Sequence, residues 1–205
     1  NICNLRCPLC LTGNGTLNRP KGMMSLALFK KICKDVQDKI GMLILWNQGE
    51  PFINPDFYEM LKIASKHQFY TMTSTNASLE LDIERIVKSG LNKIIISMDG
   101  ITEETYNNYR VNGDFELVLK NMQALVRSKE KLHSKTPYLV WQFIIMKHNE
   151  NELEKVKHLA KELKVDKLEF KTAQIYNGED QAFLPNNSKY SRYQKNGDNF
   201  ILKTK

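Results

Sequence analysis

Three cysteines, Cys3, Cys7 and Cys10, stand within the first ten residues at the spacing C-x3-C-x2-C. Thiolates are soft ligands that favour iron–sulfur clusters, zinc and copper(I). Three of them on one short loop can converge on a single metal centre. A structural zinc site is closed by four ligands, and the nearest histidine, His67, lies far downstream. A four-iron cluster held by three thiolates leaves one iron open to bind something else. Gly13, Gly15 and Gly22 follow in a loop long enough to wrap such a centre. The plain alternative is three free, buried thiols, which is a poor match to such a concentration in a chain read as intracellular. The fourth cysteine, Cys33, falls in the apolar stripe of a predicted helix and reads as a small core residue.

Such a loop needs a scaffold. Strand-like runs rich in β-branched and aromatic residues occupy Met42–Trp46, Tyr70–Ser74, Lys93–Met98, Tyr138–Met146 and Lys167–Lys171. Ile94, Ile95 and Ile96 are apolar without alternation, the pattern of a strand covered on both faces. Helical patterns lie between the runs. One starts at the N-cap candidate Ser25 and carries Phe29, Ile32, Cys33, Val36 and Ile40. Others cover Asp56–His67, Asp82–Ser89, a stripe from Phe115 to Val126 and another from Leu153 to Leu163. This alternation predicts an α/β fold with parallel strands and right-handed crossovers. In such folds ligands bind at the C-terminal ends of the strands.

Composition narrows the function classes. The chain has 205 residues, 41% hydrophobic and 26% charged, as an ordinary globular protein has. No apolar run approaches the roughly 20 residues of a membrane span, and without a basic-then-apolar segment among the first residues export is not expected. The net charge of +7 is uneven. Residues 1–34 carry six basic residues and no acid, and the last twenty carry five basic residues against Asp198. Solvated basic ends are preferred here to a nucleic-acid footprint, because no aromatics interleave with the basic residues.

The segments after the strands carry polar residues. They read Asn47-Gln48-Gly49-Glu50-Pro51, then Ser74-Thr75-Asn76, then Ser97-Met98-Asp99-Gly100, with Thr105-Tyr106 and Tyr109-Arg110 beyond. Each has a plain alternative: a turn at Gly49-Glu50-Pro51, an Asx turn at Asn76, a solvated helix-end charge at Arg110. Their order after the cysteine loop, over residues 1 to about 175, resembles the radical S-adenosylmethionine (SAM) enzymes. The later segments are similar to the branch bearing C-terminal SPASM or twitch domains.

The resemblance implies a partial (β/α)6 TIM-like barrel whose first strand would precede Asn1. It implies a [4Fe–4S] cluster on Cys3, Cys7 and Cys10, with SAM chelating the open iron. Gln48, Gly49 and Glu50 would receive the SAM amino group through backbone atoms, although Gln48 stands where the family usually has glycine. Thr75 and Asn76 would meet the ribose, and Ser97 and Arg110 the carboxylate. Asp99-Gly100 is read as a tight turn, Gln142 and Lys171 as cavity-lining, and His133, His148 and His158 as surface residues. The implied reaction is reductive cleavage of SAM to a 5′-deoxyadenosyl radical that takes a hydrogen atom from a substrate, with a peptide or protein as first guess. Electrons would come from an external donor such as flavodoxin or ferredoxin. The expected location is cytoplasmic, with no membrane or nucleic-acid partner. Residues 1–185 are expected to form the core domain, and 186–205 a polar tail leading toward a cysteine-rich C-terminal extension. The competing reading is a non-enzymatic iron–sulfur or zinc module for binding or electron transfer.

Overall fold

A computed structural model describes residues 1–197 and 199–203. Five parallel strands form one sheet in sequence order: β1 (Met42–Ile44), β2 (Tyr70–Thr75), β3 (Lys93–Ser97), β4 (Tyr138–Ile145) and β5 (Lys167–Thr172). Each crossover is helical. The helices are α1 (Leu26–Val36), α2 (Phe57–Lys66), α3 (Ile83–Lys88), α4 (Glu103–Asn107), α5 (Phe115–Lys131) and α6 (Leu153–Glu162). The five expected strands are all present. No helix among the described residues is long and apolar enough to cross a membrane.

Local chemistry sets the helix starts. Ser25, Asp82 and Asp114 each accept a hydrogen bond from a backbone N–H three residues on, capping α1, α3 and α5. Thr102 and Thr105 cap α4 reciprocally. That helix has only five residues, too few for a periodic stripe, so periodicity alone does not reveal it. α1 stops at Val36, before the expected Ile40, which is exposed beside Gly41.

Strand alternation then divides the sheet into two faces. Ile94, Ile96, Leu139, Trp141, Phe143 and Ile145 point at the helices and join one large buried cluster. Burying each such side chain contributes about 1.5–3 kcal/mol. Trp141 satisfies its indole by donating Nε1–H to the Met98 carbonyl at 2.8 Å. On the opposite face the register aligns Ser97 with Gln142 and Gln142 with Glu169. A second, smaller cluster on that side gathers Leu5, Cys7, Leu9, Tyr109 and Met146.

Where a polar tail is expected, β6 (Tyr193–Asn196) and β7 (Asn199–Leu202) pair as an antiparallel hairpin. Its reason is tertiary: Tyr193 and Phe200 pack against the cysteine-loop cluster, and Tyr193 Oη accepts the Ile175 N–H at 3.2 Å.

Candidate cofactor site at the strand ends

The cysteine loop is anchored to the segments that follow β1 and β2 and to the loop beyond α4. Arg6 N–H donates to the Val111 carbonyl at 2.9 Å, and Glu50 N–H donates to the Ile2 carbonyl at 2.7 Å. Asn4 Nδ2 donates to the Ser78 carbonyl at 2.7 Å, while Asn4 Oδ1 accepts from Asn76 Nδ2 at 2.9 Å. Asn76 Nδ2 also lies 3.7 Å from Cys3 Sγ. The loop turns back closely enough that a Cβ on Gly13 would stand 2.6 Å from the Cys7 nitrogen.

The three thiols are free, Cys7 buried and Cys3 and Cys10 half-buried. Burial raises the Cys3 pKa, and burial pushes Cys7 up to about 11. Arg110 pulls Cys7 back down, while Asp99, Cys10 and Cys3 add to the rise. Thiols held this way ionise readily only when a cation arrives, which is what a metal centre supplies. Among the described residues no three His, Cys, Asp or Glu side chains gather closely enough for a single ion. Three thiols on one loop, near enough for Cys10 and Cys3 to act on Cys7, suit the separate corners of a cluster. The donor set therefore fits an iron–sulfur group.

Glu50, only 5% exposed, is caged by neutral donors. Oε1 accepts from Phe52 N–H at 3.1 Å and from the Thr75 hydroxyl at 2.8 Å, and Oε2 accepts from Asn76 N–H at 2.8 Å. Burial pushes its pKa up to about 7 against these bonds. The Thr75 hydroxyl is thus directed at Glu50. Asn76 Oδ1 accepts from Ser78 N–H at 2.8 Å, the Asx turn weighed above. Ala77, fully buried, takes φ +53 immediately afterwards, a strained conformation at a strand end. Positive φ in the preceding segment falls on Gly49, at +92, and Gln48 has none. The glutamine in place of glycine therefore carries no left-handed penalty. Gln48 lines an apolar cleft with Ile2, Phe29 and Trp46 beside Glu50.

Asp99 is fully buried, and it is an anchor rather than the expected turn residue. Oδ2 accepts from Arg110 Nε at 2.6 Å and pairs with Nη2 at 2.5 Å, while Oδ1 accepts from Ile144 N–H at 2.6 Å. Asn149 Nδ2 donates to the Asp99 carbonyl at 2.9 Å. Two guanidinium nitrogens of Arg110 are thereby committed, and Nη1 points at Cys7 Sγ, 3.9 Å away. Burial alone would lower the Arg110 pKa; Asp99 and then Cys7 more than offset it.

Ser97 is buried with its hydroxyl 3.4 Å from that of Ser74. Gln142 is half-buried beside it, whereas Lys171 is exposed and paired with Glu169 at 3.2 Å. His148 is half-buried rather than on the surface, with burial lowering its pKa and Nε2 unpartnered. The structure joins Cys3, Glu50, Thr75 and Asn76 in one hydrogen-bonded network, and Cys7 to Arg110 in a second. Sequence reasoning missed Asn4 and Asn149. Asn4 follows the first cysteine directly, the one signal available for it.

The profile of the Radical SAM superfamily matches residues 1–163. An AdoMet-dependent heme synthase from Methanosarcina barkeri is 27% identical over 164 residues, covering 78% of this chain and 45% of the relative. The mycofactocin maturase MftC of Mycobacterium tuberculosis is 30% identical over 130 residues, covering 60% and 32%. This chain thus spans less than half the length of these relatives. Among solved structures, native anSMEcpe with bound AdoMet superposes with a TM-score of 0.68 at 20% identity, over 84% of this chain and 49% of the other. SuiB of Streptococcus suis bound to S-adenosylmethionine gives 0.70 at 16% identity, over 86% and 40%. These likenesses establish the fold as a partial TIM-like barrel.

Proposed function

The chain belongs to the radical SAM superfamily, whose cofactors are a [4Fe–4S] cluster and SAM, and from that premise we propose that it is the core of an enzyme modifying a peptide or protein. The observation that carries this reading is the hydrogen-bonded union of the cysteine loop with the ends of β1 and β2 through Glu50, Thr75, Asn76 and Asn4. When bound, the reduced cluster supplies the electron that splits SAM into methionine and a 5′-deoxyadenosyl radical, which takes a hydrogen atom from the substrate.

On this reading Cys3, Cys7 and Cys10 would hold three irons. Backbone groups of Gln48, Gly49 and Glu50 would receive the SAM amino group, Thr75 and Asn76 would border the ribose, and Ser97 with the Arg110 charge would face the carboxylate. Residues 1–185 act as the core domain. An external one-electron donor, flavodoxin or ferredoxin, supplies the reducing equivalent. The peptide reading draws support from the relatives, which include a mycofactocin maturase and a SuiB structure bound to its precursor peptide SuiA.

The test is anaerobic reconstitution with iron and sulfide. A brown protein that cleaves SAM to 5′-deoxyadenosine under a strong reductant is expected, and Cys3→Ala, Cys7→Ala and Cys10→Ala should each abolish cleavage. One zinc per chain without sulfide would sink the proposal.

A further inference from the structure

Arg110 holds the best-defined cation at the site, and its geometry gives it a second task besides facing the SAM carboxylate. Its side chain is 12% exposed and its Nε–Nη2 edge is closed onto Asp99. Asp99 is itself fixed by Ile144 N–H and, through its carbonyl, by Asn149 Nδ2. The ring of Tyr109 lies 5.3 Å from the guanidinium carbon. These partners leave one direction for the remaining nitrogen, and there stands Cys7 Sγ at 3.9 Å. The contact joins residues 103 positions apart, so chain connectivity does not force it.

We propose that Arg110 is a positioning and electrostatic residue that raises the reduction potential of the cluster through Cys7, with Asp99 aiming it and setting its strength. The inference rests on Cys3, Cys7 and Cys10 holding a four-iron cluster. Reduction adds one electron from a low-potential one-electron donor to that cluster, with no bond made or broken. The cluster and its thiolates thereby gain one negative charge. A fixed cation in a site of low dielectric favours the more negative state, and a fixed anion disfavours it. Arg110 therefore makes reduction easier and Asp99 makes it harder. Asp99, beyond the guanidinium from the sulfur, has the smaller effect.

The opposite signs make the proposal testable without turnover. The reconstituted chain is titrated with dithionite in the absence of SAM, and reduced cluster is followed by electron paramagnetic resonance. Arg110→Gln should lower the equilibrium constant for reduction by about tenfold, or about 59 mV for a one-electron couple. Asp99→Asn should move the potential upward by a smaller amount. Arg110→Lys, keeping the charge, should stay closer to the parent than Arg110→Gln does. A purely structural role would loosen the site in both neutral variants and move both potentials the same way, and that result overturns the proposal, as does no shift in either. If Arg110→Gln fails to hold a cluster, the upward shift in Asp99→Asn decides alone. A parent chain that assembles no four-iron cluster would instead overturn the reading of the cysteine loop.

Discussion

Two buried carboxylates stand at the ends of the sheet, and the chain stabilises them by different means. Glu50, after β1, accepts three hydrogen bonds from neutral donors and has no cation in contact. Asp99, after β3, faces the guanidinium of Arg110 at 2.5–2.6 Å. The Glu50 region ties the cysteine loop down through Ile2, Asn4 and Asn76. The Asp99 region sets charge beside Cys7. One end of the site holds the loop in place, while the other sets its electrostatics.

The comparison predicts its largest effect at the ion pair. Arg110→Met leaves Asp99 buried without its cation and should cost about 3–5 kcal/mol in the apoprotein, measured by urea unfolding. A loss below about 1 kcal/mol would mean that water reaches Asp99 and would erase the contrast.

Next is the pH dependence of the Glu50 end. Its folded pKa is raised to about 7 from an ordinary 4.5. Between these values the native state binds more protons than the unfolded state, so stability falls as pH rises. The contribution is full below about pH 4.5 and gone above about pH 7, a span of about 3 kcal/mol. Glu50→Gln should flatten that part of the profile, read as the difference between variant and parent unfolding free energies across pH. Equal slopes in the two proteins would place Glu50 in contact with water.

Smaller again is Thr75→Val, which removes one donor from the Glu50 carboxylate. It should cost about 1.5–3 kcal/mol near neutral pH and move the Glu50 transition still higher. The smallest effect on stability is Gly49→Ala. A side chain at φ +92 costs about 1–2 kcal/mol, and its Cβ would meet the Ile2 carbonyl oxygen at 2.7 Å. The cysteine loop must then shift, so iron uptake on reconstitution should fall more than stability does. Uptake equal to the parent's would mean that Glu50, not Gly49, sets the loop's position.

Much of the fold was legible because its signals are local. The run Lys93–Met98 is apolar at consecutive positions, and it is the buried central strand β3, Lys93–Ser97. Ser25 and Asp82 announce helix starts through bonds spanning three residues. The hairpin at Tyr193–Leu202 was not legible, since Tyr193 and Phe200 pack against a cluster assembled from distant segments, from Leu5 and Cys7 to Met146 and Leu184. The candidate residues were likewise nameable from order along the chain, while their partners were not. Asp99 reads as a turn residue beside Gly100, yet it is the buried anchor of Arg110.

The amino-acid sequence alone determined residue type and order: three soft ligands on one loop, five strands alternating with helices, and a polar segment after each of the first three strands. Tertiary structure alone decided who touches whom. The bond from Asn76 to Asn4 spans 72 residues, and the contact from Arg110 to Cys7 spans 103. The physical reason lies in range. Periodicity, caps and turns act over a few residues and are written in the neighbouring letters. The desolvation of a carboxylate, and the direction in which a guanidinium points, depend on the atoms that packing brings around them.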